Sequence, residues 1–279
     1  MEIKITWFGT ANYILTLNGT RIHFDPFFYR NEASFPKLET KKEEIKDIDS
    51  IFISHGHFDH ITEAGWLAEK FDVPIYCSET AKNNIIQWAN GELLEDQQHA
   101  LSDSTIDKIK ICNYFDQITI TPNISVELIK SEHVKFDLPT ILSRLLSYKF
   151  LKKIRSMAHL GRAFAMGKVF GFHIKFFDKS IVAFGSLWHE YEDVLKKYQN
   201  CDIFIAPLAG NSKRNIAKKT GKMIEILKPR YVIPIHWDDF YPPISRLENL
   251  NPFFKLMKKN FPHSEVIMPI MDDSIVIDL

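Results

Sequence analysis

Apolar and polar residues alternate at Ile3, Ile5 and Trp7, the period-two rhythm of a half-buried strand. Tyr13 to Leu17 and Arg21 to Asp25 flank Asn18-Gly19-Thr20. Asn-Gly accepts positive φ, so this stretch reads as a β-hairpin. Ile48 to Ser54 reads as a strand running into a histidine-rich loop. A helix over Thr62 to Lys70 with Thr62 as its cap, a strand over Val73 to Tyr76 and a helix over Glu79 to Trp88 follow. Strands are expected at Ile109 to Ile111, Gln117 to Thr121 and Ile124 to Lys130, and a second hairpin at Val169 to Phe177 and Ser180 to Phe184, turning at Asp178-Lys179.

Beyond the second hairpin strand and helix alternate: helix Glu190 to Tyr198, strand Ile203 to Ala206, helix Ile216 to Leu227 and strand Tyr231 to Pro234. A helix over Ser245 to Asn260 precedes a closing strand at Ser274 to Asp278. Sheets this apolar need covering, so the pattern predicts a layered α/β architecture. No repeat or linker divides the chain, and residues 1–279 are expected to form one domain.

Composition narrows the class. With 45% hydrophobic, 13% aromatic and 25% charged residues, the chain has the make-up of a globular protein. No apolar stretch reaches the roughly 18 residues a membrane helix needs, and Met1 to Phe8 lacks the apolar block of a signal peptide. Three widely spaced cysteines (Cys77, Cys112, Cys201) form no CxxC pair, which points to a reducing compartment and a cytoplasmic location.

The 35 basic and 35 acidic residues cancel. The cancellation is not local. Leu138 to Phe177 holds eight basic residues and no acidic one, which leaves 27 basic against 35 acidic elsewhere, a balance of −8. That balance argues against nucleic acid as a partner.

The richest chemistry lies in Ser54-His55-Gly56-His57-Phe58-Asp59-His60. Histidine and carboxylate are natural ligands of zinc and similar metals. His55 and His57 reach one metal if the backbone is extended or turning, whereas the adjacent Asp59 and His60 point to different sides. One strand-end loop thus serves two neighbouring metals. Further single histidines stand at strand ends in Ser131-Glu132-His133 and in Val232-Ile233-Pro234-Ile235-His236-Trp237.

These motifs resemble those of the metallo-β-lactamase-fold hydrolase superfamily over most of the chain. Phe24-Asp25-Pro26, Ala206-Pro207-Leu208 and Lys228-Pro229-Arg230 are similar to the branch that includes ascorbate-6-phosphate lactonases. The resemblance implies a four-layer αβ/βα sandwich with the metal site at one edge. It also implies that His55, His57 and His133 hold one divalent metal ion, and Asp59, His60 and His236 a second. Two such ions would share a hydroxide, oriented by Asp59, that attacks a lactone, amide or phosphoester. Zinc is the expected ion, with manganese or iron accepted by the same donors. Many members carry a bridging aspartate where this chain has Ser186, which predicts a weaker second site. Non-catalytic metal-binding or scaffold proteins of the same fold, nucleases and phospholipase-type phosphodiesterases are the rival readings.

Other residues follow by position. Asp25 is a candidate to brace the metal loop. Trp188, Trp237 and Asn211 are candidate pocket or substrate contacts, and His189 is a candidate proton donor. His23, His99, His159, His173 and His263 are expected to be structural or exposed. Leu142, Leu146, Phe150, Ile154 and Met157 recur at spacings of four and three within 139–157, opposite basic residues. The stripe predicts a basic amphipathic helix in an insert spanning 138–168. Three roles follow for it: a helix packed on the domain, a lid selecting a small anionic substrate, or transient contact with a membrane surface.

Overall fold

A computed structural model describes residues 2–93, 99–146, 148, 152, 163–187 and 190–279. Two seven-stranded sheets face each other. In the first, the order is β14 (Ser274–Asp278), β1 (Glu2–Trp7), β2 (Tyr13–Leu17), β3 (Thr20–Phe24), β4 (Ser50–Phe52), β5 (Ile75–Cys77), β6 (Ile109–Ile111). In the second it is β13 (Glu265–Val266), β12 (Tyr231–Ile235), β11 (Ile203–Pro207), β10 (Lys179–Phe184), β9 (Val169–Phe176), β8 (Ile124–Ser131), β7 (Gln117–Thr121). Each sheet is antiparallel in one half and parallel in the other: β3 to β6 and β10 to β13 run parallel.

The alternation of β1 buries Ile3, Ile5 and Trp7 completely. They join Phe24, Phe52, Phe172, Ile174, Ile205 and Ile233 in a core between the sheets. A second core lies between the first sheet and helices α2 (Ala64–Phe71) and α3 (Glu79–Ala89), where Leu67, Ala81, Ile85 and Trp88 meet Ile51 and Ile75. A third joins the second sheet to α7 (Lys213–Leu227) and α8 (Asn251–Asn260). Helices therefore cover the outer face of each sheet, giving four layers, as the alternation and the resemblance predict.

The hairpin turn places Asn18 and Gly19 at positive φ (48° and 85°), the handedness a two-residue hairpin needs. Several boundaries differ from the sequence expectation. The histidine-rich stretch is not all loop, because Phe58–Ile61 forms a helical turn, α1. Thr62 is the C-cap of α1 and does not cap α2, which starts after Glu63. The second hairpin turns at Phe177-Asp178, one residue earlier than Asp178-Lys179, and Phe177 takes φ 54°. The helix expected from Ser245 begins only at Asn251, where Pro252 fits the first turn because its missing N–H needs no partner. Glu190 to Tyr198 is a short α6 (Glu192–Leu195) followed by a 3-10 turn. The small α4 (Asp103–Lys108), capped by Ser102, has no periodic signature.

Of the expected basic helix, α5 (Leu138–Leu145) is described. Asp137 caps it, accepting from the Thr140 N–H at 3.0 Å. Leu142 and Leu146, the first two members of the apolar stripe, are exposed; Phe150, Ile154 and Met157 lie outside the described residues. Among the described residues no helix is long and apolar enough to cross a membrane. All three cysteines are free and buried, and burial pushes the Cys112 thiol up to about 11 and Cys201 to about 12.

Candidate metal centre

The site lies at the carboxyl ends of β4, β8, β10 and β12, where the loops leaving one edge of both sheets converge. After β4 the chain bends at Ser54 and Gly56, reaches His57 in the extended region (φ −68°, ψ 153°) and then turns into α1. That change of direction sends His55 and His57 to one point and Asp59 and His60 to another. Gly56 sits in a crowded place: a Cβ there would lie 2.4 Å from the Ala165 carbonyl oxygen. Its N–H donates to Met166 O at 2.8 Å, and Asn84 Nδ2 donates to both Gly56 O and Ala165 O. The motif is thus pinned from the far side of the chain.

Two groups of three side chains result. Donor atoms of His55, His57 and His133 lie within 4.8 Å of one another, as do those of Asp59, His60 and His236. In the first group, His55 Nε2 is 3.1 Å from His57 Nδ1. In the second, Asp59 Oδ2 is 3.5 Å from both His60 Nε2 and His236 Nε2. The His55 and His60 rings, one from each group, are 4.0 Å apart between centroids.

Hydrogen bonds set which nitrogen faces inward. His133 Nδ1 is 3.0 Å from Val134 O, so it carries the proton and leaves Nε2 as an acceptor. His60 Nδ1 is 2.8 Å from Asp25 Oδ2, with the same effect. Asp25 also accepts from the Ser54 N–H and hydroxyl, both at 2.6 Å, and the Ser54 oxygen lies 3.0 Å from His55 Nδ1. A single carboxylate therefore braces both groups through Ser54. Gly185 is required beside it, since a Cβ there would stand 2.1 Å from the Ser54 hydroxyl and 2.7 Å from Asp25.

The donors fit a divalent cation. The two edges from Asp59 to His60 and His236 are 3.5 Å, and a tetrahedral zinc with bonds of about 2.0–2.1 Å has edges of about 3.3–3.4 Å. Acceptors gathered this closely need a positive charge among them. His55, His57 and His133 are each inclined to neutrality: burial lowers them all, and neighbouring imidazoles lower them further, His133 to about 3. Neutral imidazole is the ligating form. Burial favours the protonated form of Asp59, but His60, His236 and His57 outweigh it and hold the carboxyl below the usual range. Burial also lowers His60, yet the Asp59 and Asp25 charges win and its pKa is raised.

The remaining candidates sit in different surroundings. Ser186 lines the site, and its hydroxyl accepts from the Val134 N–H at 2.9 Å, holding the loop that carries His133. Asn211 is fully buried; its amide donates to Lys135 O and Gly210 O and accepts from Lys219 Nζ. Trp237 packs on Trp7 in the core, ring centroids 5.2 Å apart. Trp188, His189 and His159 lie outside the described residues. His23 is buried, with Nε2 2.7 Å from Asn12 Oδ1, and His173 is buried beside Ser180; His99 and His263 are exposed. Ser54 was missed by sequence reasoning, although a hydroxyl directly before a metal-type motif is a usable signal.

Above the two groups is a cavity of about 550 Å³. Its floor includes His57, Asp59, His133 and His236. Its walls are largely apolar, and of the basic residues between Leu138 and Phe177 the described Lys152, Lys168 and Lys175 are exposed and do not line it.

Residues 4–236 match the family described as Beta-lactamase superfamily domain. A UPF0173 metal-dependent hydrolase of Pyrococcus abyssi is 24% identical over 87% of this chain and 88% of its own length. One from Koribacter versatilis is 41% identical over 27% of the chain and 31% of its own length. Among solved structures, the metallo hydrolase Igni18 of Ignicoccus hospitalis has the same fold over the whole of both chains (TM-score 0.66, 15% identity). An isothiocyanate hydrolase from Delia radicum gut bacteria shares the fold over 98% of each chain (TM-score 0.60, 15% identity).

Proposed function

Because the chain belongs to the beta-lactamase superfamily domain family, we propose that its two converging donor groups form the hydrolytic centre of a metal-dependent hydrolase. The observation that carries this reading is the pair of three-residue groups at one sheet edge, braced by one carboxylate and opening into one cavity. His55, His57 and His133 would hold one divalent ion, and Asp59, His60 and His236 a second, with zinc the best match to this donor set. Bound there, such ions supply Lewis acidity and make water a nucleophile near neutral pH. Asp59, kept ionised by the surrounding imidazoles, accepts a hydrogen bond from the attacking water and orients it. Asp25 and Ser54 hold the His60 and His55 rings in place. The bond broken is a lactone or amide bond or a phosphoester, and an anionic group on the substrate is matched by the charge of the ions.

The test is a hydrolysis screen of zinc- and manganese-loaded protein with lactone, phosphodiester and thioester probes. One class should turn over, and His57→Ala should lower its kcat/KM by at least about 10³-fold. Protein that holds less than one metal equivalent and cleaves nothing would sink the reading.

A further inference from the structure

The cavity walls carry a second message, about the part of the substrate that does not react. Phe58 comes from α1, Phe136 and Ile141 from the segment after β8, Phe164 from just before β9, and Phe240 and Ile244 from the loop after β12. Four separate stretches thus contribute apolar side chains to one volume. The rings support one another: Phe58 lies 6.1 Å from Phe164 and 6.3 Å from Phe240, centroid to centroid. Charged groups on the wall are matched internally. Asp238 pairs with Arg30 at 2.6 Å, and Arg246 pairs with Glu248 at 3.1 Å. What the wall offers a ligand is therefore chiefly apolar surface.

The same character continues to the outside. Phe136 is 60% exposed and Ile141 41%, although both line the cavity, and Leu142 beside them is 57% exposed. Scattered exposed apolar residues are ordinary. An apolar mouth leading into an apolar volume is not, because water held there is readily displaced by an apolar group. A volume of about 550 Å³ also falls within the range that encloses a small organic molecule.

We propose that the substrate presents its reacting group to the histidine–aspartate floor and an apolar arm, alkyl or aryl, of several carbons to this cavity. The proposal rests on the hydrolytic reading and adds a substrate class to it. Hydrolysis adds water across the bond at the floor: the hydroxyl goes to the acyl carbon or phosphorus, and the leaving group departs with the proton. The arm takes no part in that step and supplies binding energy and selectivity.

Two measurements on the zinc-loaded full chain test it. The first is a series of p-nitrophenyl esters from acetate to decanoate, with methyl and octyl p-nitrophenyl phosphodiesters alongside. The second is calorimetric binding of the carboxylates from butanoate to decanoate, which needs no turnover. Each added methylene should improve kcat/KM, and lower the carboxylate Kd, by about two- to fourfold until the cavity is full. Binding should show a negative heat-capacity change. Phe136→Ser with Ile141→Gln alters only exposed rim positions and should cut the octyl-over-methyl preference at least about fivefold. Leu142→Gln, exposed on the same helix but outside the cavity, should leave it unchanged. A flat or falling chain-length series, or a slope untouched by the rim pair, overturns the proposal. If no probe is cleaved yet carboxylate affinity still climbs with chain length, the apolar-arm inference stands and the hydrolytic reading falls.

Discussion

The two groups of candidate ligands share a loop and a brace, yet they are electrically unlike. His55, His57 and His133 are three imidazoles, all pushed towards neutrality by burial and by neighbouring imidazoles, His60 among them. Asp59, His60 and His236 include a carboxylate held ionised, and His60 also faces Asp25. The first group offers a cation dipoles; the second offers a full negative charge. Ser186 in place of a bridging aspartate suggests a weak second site when the sequence is read alone. The structure shows that this second group still has its own carboxylate and the closer contact with Asp25, while Ser186 serves the His133 loop.

The largest effect that would sharpen this contrast is removal of one ligand from each group. His133→Ala and Asp59→Asn should each abolish about one metal equivalent, measured by elemental analysis after dialysis. Asp59→Asn should in addition reduce kcat by at least about 10³-fold, because it removes both a ligand and the group that orients water. Equal metal loss with equal kcat loss in the two variants would erase the distinction drawn here. Asp25→Ala comes next. Losing the residue behind a metal-bound histidine costs about 10- to 100-fold in metal affinity, and here both groups should weaken together, since Ser54 links His55 to the same carboxylate. A loss confined to one group, seen by competition titration with a chromophoric chelator, would contradict the shared brace.

The smallest effect is a matter of pH. In metal-free protein the His60 pKa is raised above 6.5, so the folded state binds its proton more tightly than the unfolded chain does. Its contribution to stability is full below pH 6.5 and is lost as pH rises through the folded value. His133, lowered to about 3, has the opposite sign: the unfolded chain protonates first, and stability falls as pH drops from 6.5 towards 3. Proton-detected titration of the imidazoles should find His60 changing above pH 6.5 and His133 still neutral at pH 5. A His133 resonance moving near pH 6.5 would remove the electrostatic basis of the comparison.

The two regions also differed in how readily they were read from residues alone. All six candidate ligands are marked locally, four in one seven-residue stretch and two at strand ends, so local pattern was enough. Period-two alternation likewise marked β1, and the Asn18-Gly19 turn marked β2 and β3. The cavity had no such signature. Phe58, Phe164 and Phe240 are single aromatics in non-periodic segments, brought together only by the packing of four loops. Trp237 and Asn211 show the converse. Proximity in sequence to His236 and Gly210 suggested pocket residues, but backbone direction turns Trp237 onto Trp7, and the Asn211 amide ties the loops at Lys135 and Gly210. Of the basic cluster, Lys152, Lys168 and Lys175 are exposed and do not line the wall, because charge counted along a segment says nothing about which side chains face a cavity.

The last ligand arrives through an unusual junction. His236 sits at φ 58° with its N–H on Thr10 O at 2.9 Å, and Thr10, itself at φ 45°, donates its N–H to Asp238. The second group therefore closes only when residue 10 meets residue 236. In a chain growing on the ribosome, His55, His57 and His133 all exist about a hundred residues before His236 does. At 5–20 residues per second that is roughly 5–20 s of synthesis. The order of translation thus separates completion of the two groups in time, and an ion captured early would find only the all-histidine group complete.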